Sequence, residues 1–406
     1  MAALADLCEL IIDCEHKTAP TGVAGFPLIR TPDIGFGRLN VEGANRVDEA
    51  TYRAWTQRAV PRAGDLILAR EAPVGNVGPV PPGVQPVLGQ RTVLIRTRPE
   101  VLDPIYLNYL LCGPELRNWM LGVASGATLP HLNMADIRSM ELPSLPSPEA
   151  QRKIAAILAA YDNLIDNNNR RIKVLEEVAQ RIYREWFVEF RYPGHEGVPL
   201  VVSELGAIPE SWEVRGLFAV ADVAFGFPFK SSGFNSTEGV PVIRIRDIPT
   251  GRSETLTTEA PSSAYAVENG DILVGMDGDF HMARWSAGHA WLNQRVARFR
   301  PASPRLSRYA LYLALEEPIA RWNATIVGTT VAHLGKRHLE LVKVVVPPAE
   351  VAAQATALLD PIFDIEILAR RAIHSLRKTR DLLLPRLVSG EIDVTDVDIE
   401  VSDLAA

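Results

Sequence analysis

The longest regular pattern in the chain is an apolar stripe spaced for a helix. With a heptad set from Gln151, the a and d positions are Gln151, Ile154, Leu158, Tyr161, Ile165, Asn168, Ile172, Leu175, Ala179, Ile182 and Trp186, and nine of these eleven are apolar. Neither Gly nor Pro interrupts 151–186, so the segment predicts a rod of roughly 54 Å at the helical rise. A seam of this kind needs a partner helix. Ile362, Ile365, Ala369, Ala372, Leu376, Thr379 and Leu383 supply a second, weaker stripe in the same chain, and together the two predict an antiparallel pair of long coiled-coil helices. Asn168 falls on a d position, where a buried polar group fixes register; a partly exposed side chain fits the pattern equally well. Asp360-Pro361 interrupts the second stripe. An Asp before a Pro reads as a helix cap and first helical residue, so a break or kink is expected there, with Pro385 and Gly390 ending the second rod.

Outside the stripes, short β-rich runs such as 65–69, 92–96 and 297–300 alternate with Gly and Pro punctuation and a few helical stretches. Pro-marked boundaries at 142–148 and 344–348 each precede a helical pattern. The chain also repeats itself. Phe26-Pro27-Leu28-Ile29-Arg30-Thr31-Pro32-Asp33-Ile34 returns as Val240-Pro241-Val242-Ile243-Arg244-Ile245-Arg246-Asp247-Ile248, and Gly64-Asp65-Leu66-Ile67-Leu68 as Gly270-Asp271-Ile272-Leu273-Val274. Leu88-Gly89-Gln90-Arg91-Thr92-Val93 returns as Leu292-Asn293-Gln294-Arg295-Val296-Ala297. Gly126-Ala127-Thr128 with His131-Leu132 returns as Gly328-Thr329-Thr330 with His333-Leu334. The offset drifts smoothly from 214 to 202 in unchanged order, which is the mark of duplication. The expected fold is therefore α+β: two mixed α/β domains in pseudo-two-fold arrangement, separated by the helix pair. The divisions expected are a first domain at 1–147, a central long helix at 148–192, a second domain at 193–346, a distal helix at 347–394 and an acidic tail at 395–406.

Composition narrows the class. At 406 residues the chain exceeds what one core usually organises, and 47% hydrophobic against 22% charged residues argues for packed cores rather than disorder. The apolar runs, such as 341–348, are far shorter than a membrane span, and the N-terminus lacks a basic segment followed by a hydrophobic core, so a cytoplasmic protein without a membrane partner is expected. Cys8, Cys14 and Cys112 are an odd, unpaired set that suits a reducing compartment. The formal charge of −7 argues at first against a nucleic-acid partner. Six of the acids, however, crowd into 391–406 with no base among them, leaving residues 1–390 at −1. A near-neutral body can still hold basic grooves.

No catalytic motif is present. Gly335-Lys336-Arg337 lacks the upstream Gly and the hydroxyl of a phosphate loop. The sequence contains neither an Asn/Asp-Pro-Pro-aromatic string of the adenine-methyltransferase kind nor a Gly-x-Ser-x-Gly elbow. Cys8, Cys14 and His16 are short of the four ligands zinc takes. Asp277 and Asp279 around Gly278 lack the carboxylate ladder of a calcium loop and read as a tight turn. No metal is expected.

Particular strings resemble the specificity subunits of type I restriction-modification enzymes. The run from Leu145-Pro146 through Glu149, Gln151, Ile154 and Asp162 to Arg181-Ile182-Tyr183-Arg184-Glu185-Trp186-Phe187 is similar to their central helical region. Asp13-Cys14-Glu15-His16-Lys17-Thr18-Ala19-Pro20, Arg70-Glu71-Ala72-Pro73-Val74-Gly75 and Leu88-Gly89-Gln90-Arg91 resemble one class of first target-recognition domain. Ile208-Pro209-Glu210-Ser211-Trp212, Gly275-Met276-Asp277-Gly278-Asp279-Phe280, Trp285 and Asn293-Gln294-Arg295 resemble another class. The resemblance covers most of the chain. It implies that each domain reads half of a split sequence in double-stranded DNA and that the helices set the spacing and dock two adenine-N6 methyltransferase subunits. It also implies that an ATP-dependent endonuclease and translocase subunit joins them. S-adenosylmethionine, ATP and Mg would belong to those partners, with no cofactor and no active site in this chain. A helical scaffold that assembles proteins without reading DNA is the competing reading.

Base readout needs Arg, Lys, Gln or Asn on groove-facing loops. Gln90, Arg91, Gln294 and Arg295 recur at matched positions, which suits framework or phosphate contacts, because two domains reading different half-sites would not share their readers. The same discount applies to Thr128, His131, Thr330 and His333. Candidate readers lie where the copies differ: Lys17, Arg38, Asn40, Arg70 and Asn76 in the first half, and Lys230, Arg246, Arg284, Trp285 and Lys336 in the second. Loss of one half-site preference is expected from Arg70→Ala.

Overall fold

The computed structural model describes residues 2–126, 130–325 and 333–399. The chain forms two compact units: one gathers the residues up to Asn163 with those from Leu376 onward, the other holds Leu164–Ser375.

The first unit is built on a four-stranded antiparallel sheet of strands β1 (Cys8–Asp13), β3 (Leu66–Ala69), β4 (Val77–Pro79) and β6 (Thr92–Thr97), in the order β1-β6-β3-β4. A smaller sheet pairs β2 (Phe26–Ile29) in parallel with β5 (Val87–Leu88) and antiparallel with Asn45–Val47. The central strands read as almost unbroken apolar runs because both faces are covered. Leu66, Leu68, Val93 and Ile95 point into a core shared with helix α1 (Pro104–Cys112), while Ile67, Ala69 and Leu94 point into a second core with Ile29, Ile34 and Leu88. Alternation along each strand thus divides its side chains between two cores. Helix α2 (Pro148–Tyr183) opens in this unit, where Ile154, Ala155 and Leu158 join the first core.

The second unit repeats the plan. Strands β7 (Ala221–Phe225), β9 (Ile272–Gly275), β10 (Met282–Arg284) and β12 (Val296–Pro301) form a sheet in the order β7-β12-β9-β10, and β8 (Val240–Ile243) pairs in parallel with β11 (Ala290–Leu292) as β2 does with β5. The repeated strings resolve into repeated contacts. Asp65 receives both Nε and Nη2 of Arg96, and Asp271 receives the same atoms of Arg300. Asp33 Oδ2 caps the backbone N–H of Arg30 at 3.0 Å, and Asp247 that of Arg244 at 2.9 Å. The sheet packs against helix α3 (Arg308–Thr325) and against parts of α2 and of the last helix, α4 (Ala349–Val388).

The predicted seam of α2 is its buried face: Gln151, Ile154, Leu158, Ile165, Ile172 and Ala179 are all buried, as is Trp186 in the turn that follows the helix. Asn168 donates to the Leu164 carbonyl of its own helix at 2.8 Å, so it is spent locally rather than on a partner. In the first unit early α2 shares a core with Leu384 and Leu387 of late α4; in the second, Ala179 of late α2 shares one with Val351, Ala355 and Leu359 of early α4. This is the pairing of an antiparallel couple.

Three expectations for α4 need correction. Of the break or kink expected at Asp360-Pro361, a break does not occur: the helix runs through both residues. Pro361 removes one ladder donor, at a cost of about 3 kcal/mol, but Leu359 and Phe363 beside it are fully buried and hold the segment in place. Asp360, instead of capping its own helix, accepts the Arg308 backbone N–H at 3.1 Å. Pro385 likewise lies within the helix; Gly390, in the left-handed region at φ 76°, follows its end. Finally, from Leu359 onward the buried positions are Leu359, Phe363, Glu366, Ile367, Ala369, Ile373, Leu384 and Leu387, so of the predicted stripe Ala369 is buried whereas Thr379 is exposed.

A charge in the middle of that buried face explains why the stripe was faint. Glu366 has no exposed surface; it accepts the Tyr309 hydroxyl at 2.8 Å and pairs with Arg284 and Arg370, each at 2.7 Å. Glu176 of α2 joins both arginines. The first unit has the same device: Asp162 of α2 accepts the Tyr109 hydroxyl at 2.6 Å and pairs with Arg380 of α4 at 2.5 Å.

Candidate nucleic-acid interface

The short turn between β5 and β6 carries Gln90 and Arg91, both exposed, and the turn between β11 and β12 carries Gln294 and Arg295, also exposed. Each turn is stitched into the same surroundings. The Arg70 N–H donates to the Arg91 carbonyl and the Leu132 N–H to the Arg70 carbonyl; in the second unit Met276 donates to Arg295 and Leu334 to Met276. The ladder places Glu71 opposite His131 and Asp277 opposite His333. The three separated repeats, acid after strand, Gln-Arg turn and His-Leu, therefore meet at one place in each unit.

The side chains follow the backbone. Arg91 Nε lies 3.1 Å from Glu71 Oε2, and Arg295 Nε lies 3.2 Å from Asp277 Oδ2. Both arginines are about half exposed, at 51% and 55%, while their acids are at 21% and 24%. His333 Nδ1 also sits 2.6 Å from Asp277 Oδ1. Asp277 is thus the anchor of a charge cluster as well as part of the turn the sequence suggested. Neither Glu71 nor Asp277 was singled out as an arginine partner from sequence, although both follow the repeated Gly-Asp strand at the same 206-residue offset.

The loop leaving β1 and the loop leaving β7 each flank the Gln-Arg turn of their unit. Cys14 donates its N–H to the Thr92 carbonyl and its sulfur accepts the Arg91 N–H at 3.1 Å, and exposed Lys17 follows three residues on. Phe227 donates to Leu292 and accepts from Gln294, and exposed Lys230 follows three residues on. Lys336 is exposed and pairs with Glu340 at 3.8 Å. Arg246 is exposed beside Asp247, whose carboxyl burial pushes above the usual carboxylate range while Arg246 pulls it down. Asn40 is exposed and accepts the Gly43 N–H.

Other candidates belong to the framework. Arg70, with 15% of its side chain exposed, donates to Asp13 at 2.6 Å and to the Leu132 carbonyl at 2.8 Å. Asn76 donates to the Ile34 carbonyl and accepts from Arg117. Arg38 faces Asp162 of α2 at 4.0 Å. Arg284 is 4% exposed, lies over the Tyr312 ring at 4.0 Å and pairs with Glu176 and Glu366; Trp285 is buried and donates to the Gly288 carbonyl. Arg284 and Trp285 are turned away from solvent, whereas Arg38, Arg70 and Asn76 are partly exposed but engaged with neighbouring groups. Thr128 and Thr330 lie outside the described residues. Among the described residues no cluster of three or more His, Cys, Asp or Glu side chains could hold a metal ion, and no helix is long and apolar enough to cross a membrane.

Two mixed α/β domains, each presenting a Gln-Arg turn, define a duplicated recognition protein, and similarity to known proteins gives the class a family. The model of the type I restriction modification DNA specificity domain matches residues 54–177 and again 209–375. The chain belongs to that family. It is 25% identical over 372 residues to the specificity subunit of the type I restriction enzyme MjaIX from Methanocaldococcus jannaschii, covering 87% of this chain and 83% of that one. It is 32% identical over 216 residues to the EcoBI specificity subunit of Escherichia coli, covering 52% and 46%. In fold it resembles the crystal structure of the type I restriction-modification S subunit from M. genitalium, with a TM-score of 0.58 at 15% identity over 95% of each chain.

Proposed function

We propose that this chain is the non-catalytic DNA-recognition subunit of a type I restriction-modification enzyme and that each unit reads one half of a split duplex target. The observation that carries the reading is the doubled family match, with one exposed Gln-Arg turn inside each stretch. The helices α2 and α4 dock two adenine methyltransferase subunits, and an endonuclease and translocase subunit completes the enzyme. S-adenosylmethionine, ATP and Mg act in those partners, in the cytoplasm. The exposed polar side chains that differ between the units, Lys17 and Asn40 in the first and Lys230, Arg246 and Lys336 in the second, are the candidates for base edges.

Base-resolution mapping of N6-methyladenine in cells with and without the gene tests the proposal. A two-part motif with a fixed gap, methylated only when the gene is present, is the expected result. An unchanged methylome would favour a scaffold that assembles proteins, and a single contiguous motif would refute one half-site per unit. Purified alone and supplied with ATP, Mg and S-adenosylmethionine, the chain should neither cut nor methylate DNA.

A further inference from the structure

Arg91 and Arg295 share an arrangement that a structural ion pair does not require. Each uses Nε, the inner nitrogen of the guanidinium, toward its acid. Among the described residues no hydrogen bond is found from the terminal nitrogens of either arginine, and both side chains are half exposed while the acids sit deeper. A half-exposed guanidinium whose closest approach to its acid is through Nε keeps its terminal N–H donors available to grip two oxygens of one phosphate. Arg91 also holds φ at 67°, in the left-handed region, fixed by its N–H on the Cys14 sulfur and its carbonyl on the Arg70 N–H. A bulky residue there costs about 1 kcal/mol or more, and such outliers gather at functional sites.

The same pair of donors could also read a guanine edge. Duplication decides between the two. The arginine, its acid and the backbone ladder behind them recur in both units, whereas the sequences read by two halves of a split target differ. A contact kept in both halves suits the part of DNA that is the same everywhere. Resting on the recognition role above, we infer that Arg91 and Arg295 are equivalent, sequence-independent phosphate anchors, one per half-site, positioned by Glu71 and Asp277.

The test uses the full chain in complex with its methyltransferase, titrated by fluorescence anisotropy onto the duplex identified by methylation mapping and onto a scrambled duplex, across a potassium chloride series. Arg91→Gln and Arg295→Gln should each weaken binding to both duplexes by the same factor and leave their ratio unchanged. Each should lower the slope of log affinity against log salt by about 0.9, and the double variant by about twice that. Glu71→Gln and Asp277→Asn should act in the opposite direction, tightening binding to both duplexes by removing a negative charge from beside the phosphate. If the pairs merely held the fold together, breaking either partner would weaken binding in parallel with a loss of thermal stability. That result overturns the inference, as does an unchanged salt slope or a loss of preference at one base position. An unsubstituted complex that binds the two duplexes equally would sink the recognition role instead, and the slopes on the scrambled duplex would still report on the anchors.

Discussion

An arginine contacts DNA only if its guanidinium reaches solvent, and Arg70 spends its donors inside the domain on Asp13 and the Leu132 carbonyl. Arg70→Ala should therefore not erase one half-site preference, as the sequence alone suggested. It should destabilise the first unit by about 1.5–3 kcal/mol, the range for hydrogen bonds to charged groups, and lower binding to all duplexes in step with the melting temperature. A second residue-scale test concerns Glu316, half-buried on α3. Burial raises its carboxyl above the ordinary value, with Glu176 adding to the shift and Arg284 and the Tyr312 hydroxyl opposing it. The folded state therefore holds this proton more tightly than the unfolded chain does. The stability tied to it is fully present below the unfolded value and is lost as pH rises through the folded one. Glu316→Gln should raise the melting temperature at about pH 7.5 and leave it unchanged near about pH 3, where the carboxyl is protonated in both states; equal gains at both pH values would rule the explanation out.

At the scale of elements, close backbone approach is what seats the second Gln-Arg turn. A Cβ placed on Gly226 would lie 1.9 Å from the Asn293 carbonyl oxygen, and its nearest neighbours are all backbone of Leu292 and Asn293, with no flexible side chain to yield. Gly226→Ala should force the loop after β7 away from the turn, costing about 1–3 kcal/mol as overpacking does, and should weaken DNA binding through Gln294 and Arg295 while the first unit keeps its preference. Competition binding with half-site-mutated duplexes reads this directly. The elements differ in how far the sequence discloses them. The α2 stripe was legible because its a and d positions are apolar and nothing in the segment breaks a helix. The α4 stripe was not, because Glu366 occupies its centre and its compensating partners, Arg284 and Tyr309, come from distant segments. The duplicated Gln-Arg turns were visible as strings, but their acids were not. Only folding brings Glu71 and Asp277 beside them, and only folding turns Arg70, Arg284 and Trp285 inward.

At the scale of the molecule, net charge and fold pull on the same terminal segment in different places. Val394 is buried in the first unit's core, and Lys153 donates to the Thr395 carbonyl at 2.8 Å, so the chain up to Thr395 is structural. Beyond it lie Asp396, Asp398, Glu400 and Asp403 with no base, and removing 396–406 would change the formal charge from −7 to −3. Acidic side chains repel a polyanion through the long-range field wherever they stand on the chain. The shortened chain should melt at the same temperature as the full one and associate faster with random duplex at low salt. The advantage should fade as ionic strength rises toward about 1 M, where the screening length falls to about 3 Å. Removing 391–406 instead takes away Ile392 and Val394 and should lower the melting temperature of the first unit, because burial of those side chains is lost whatever the salt. Stopped-flow association measured on both truncations across a salt series separates the two effects: a rate gain that survives high salt would show that the acids act through structure rather than charge.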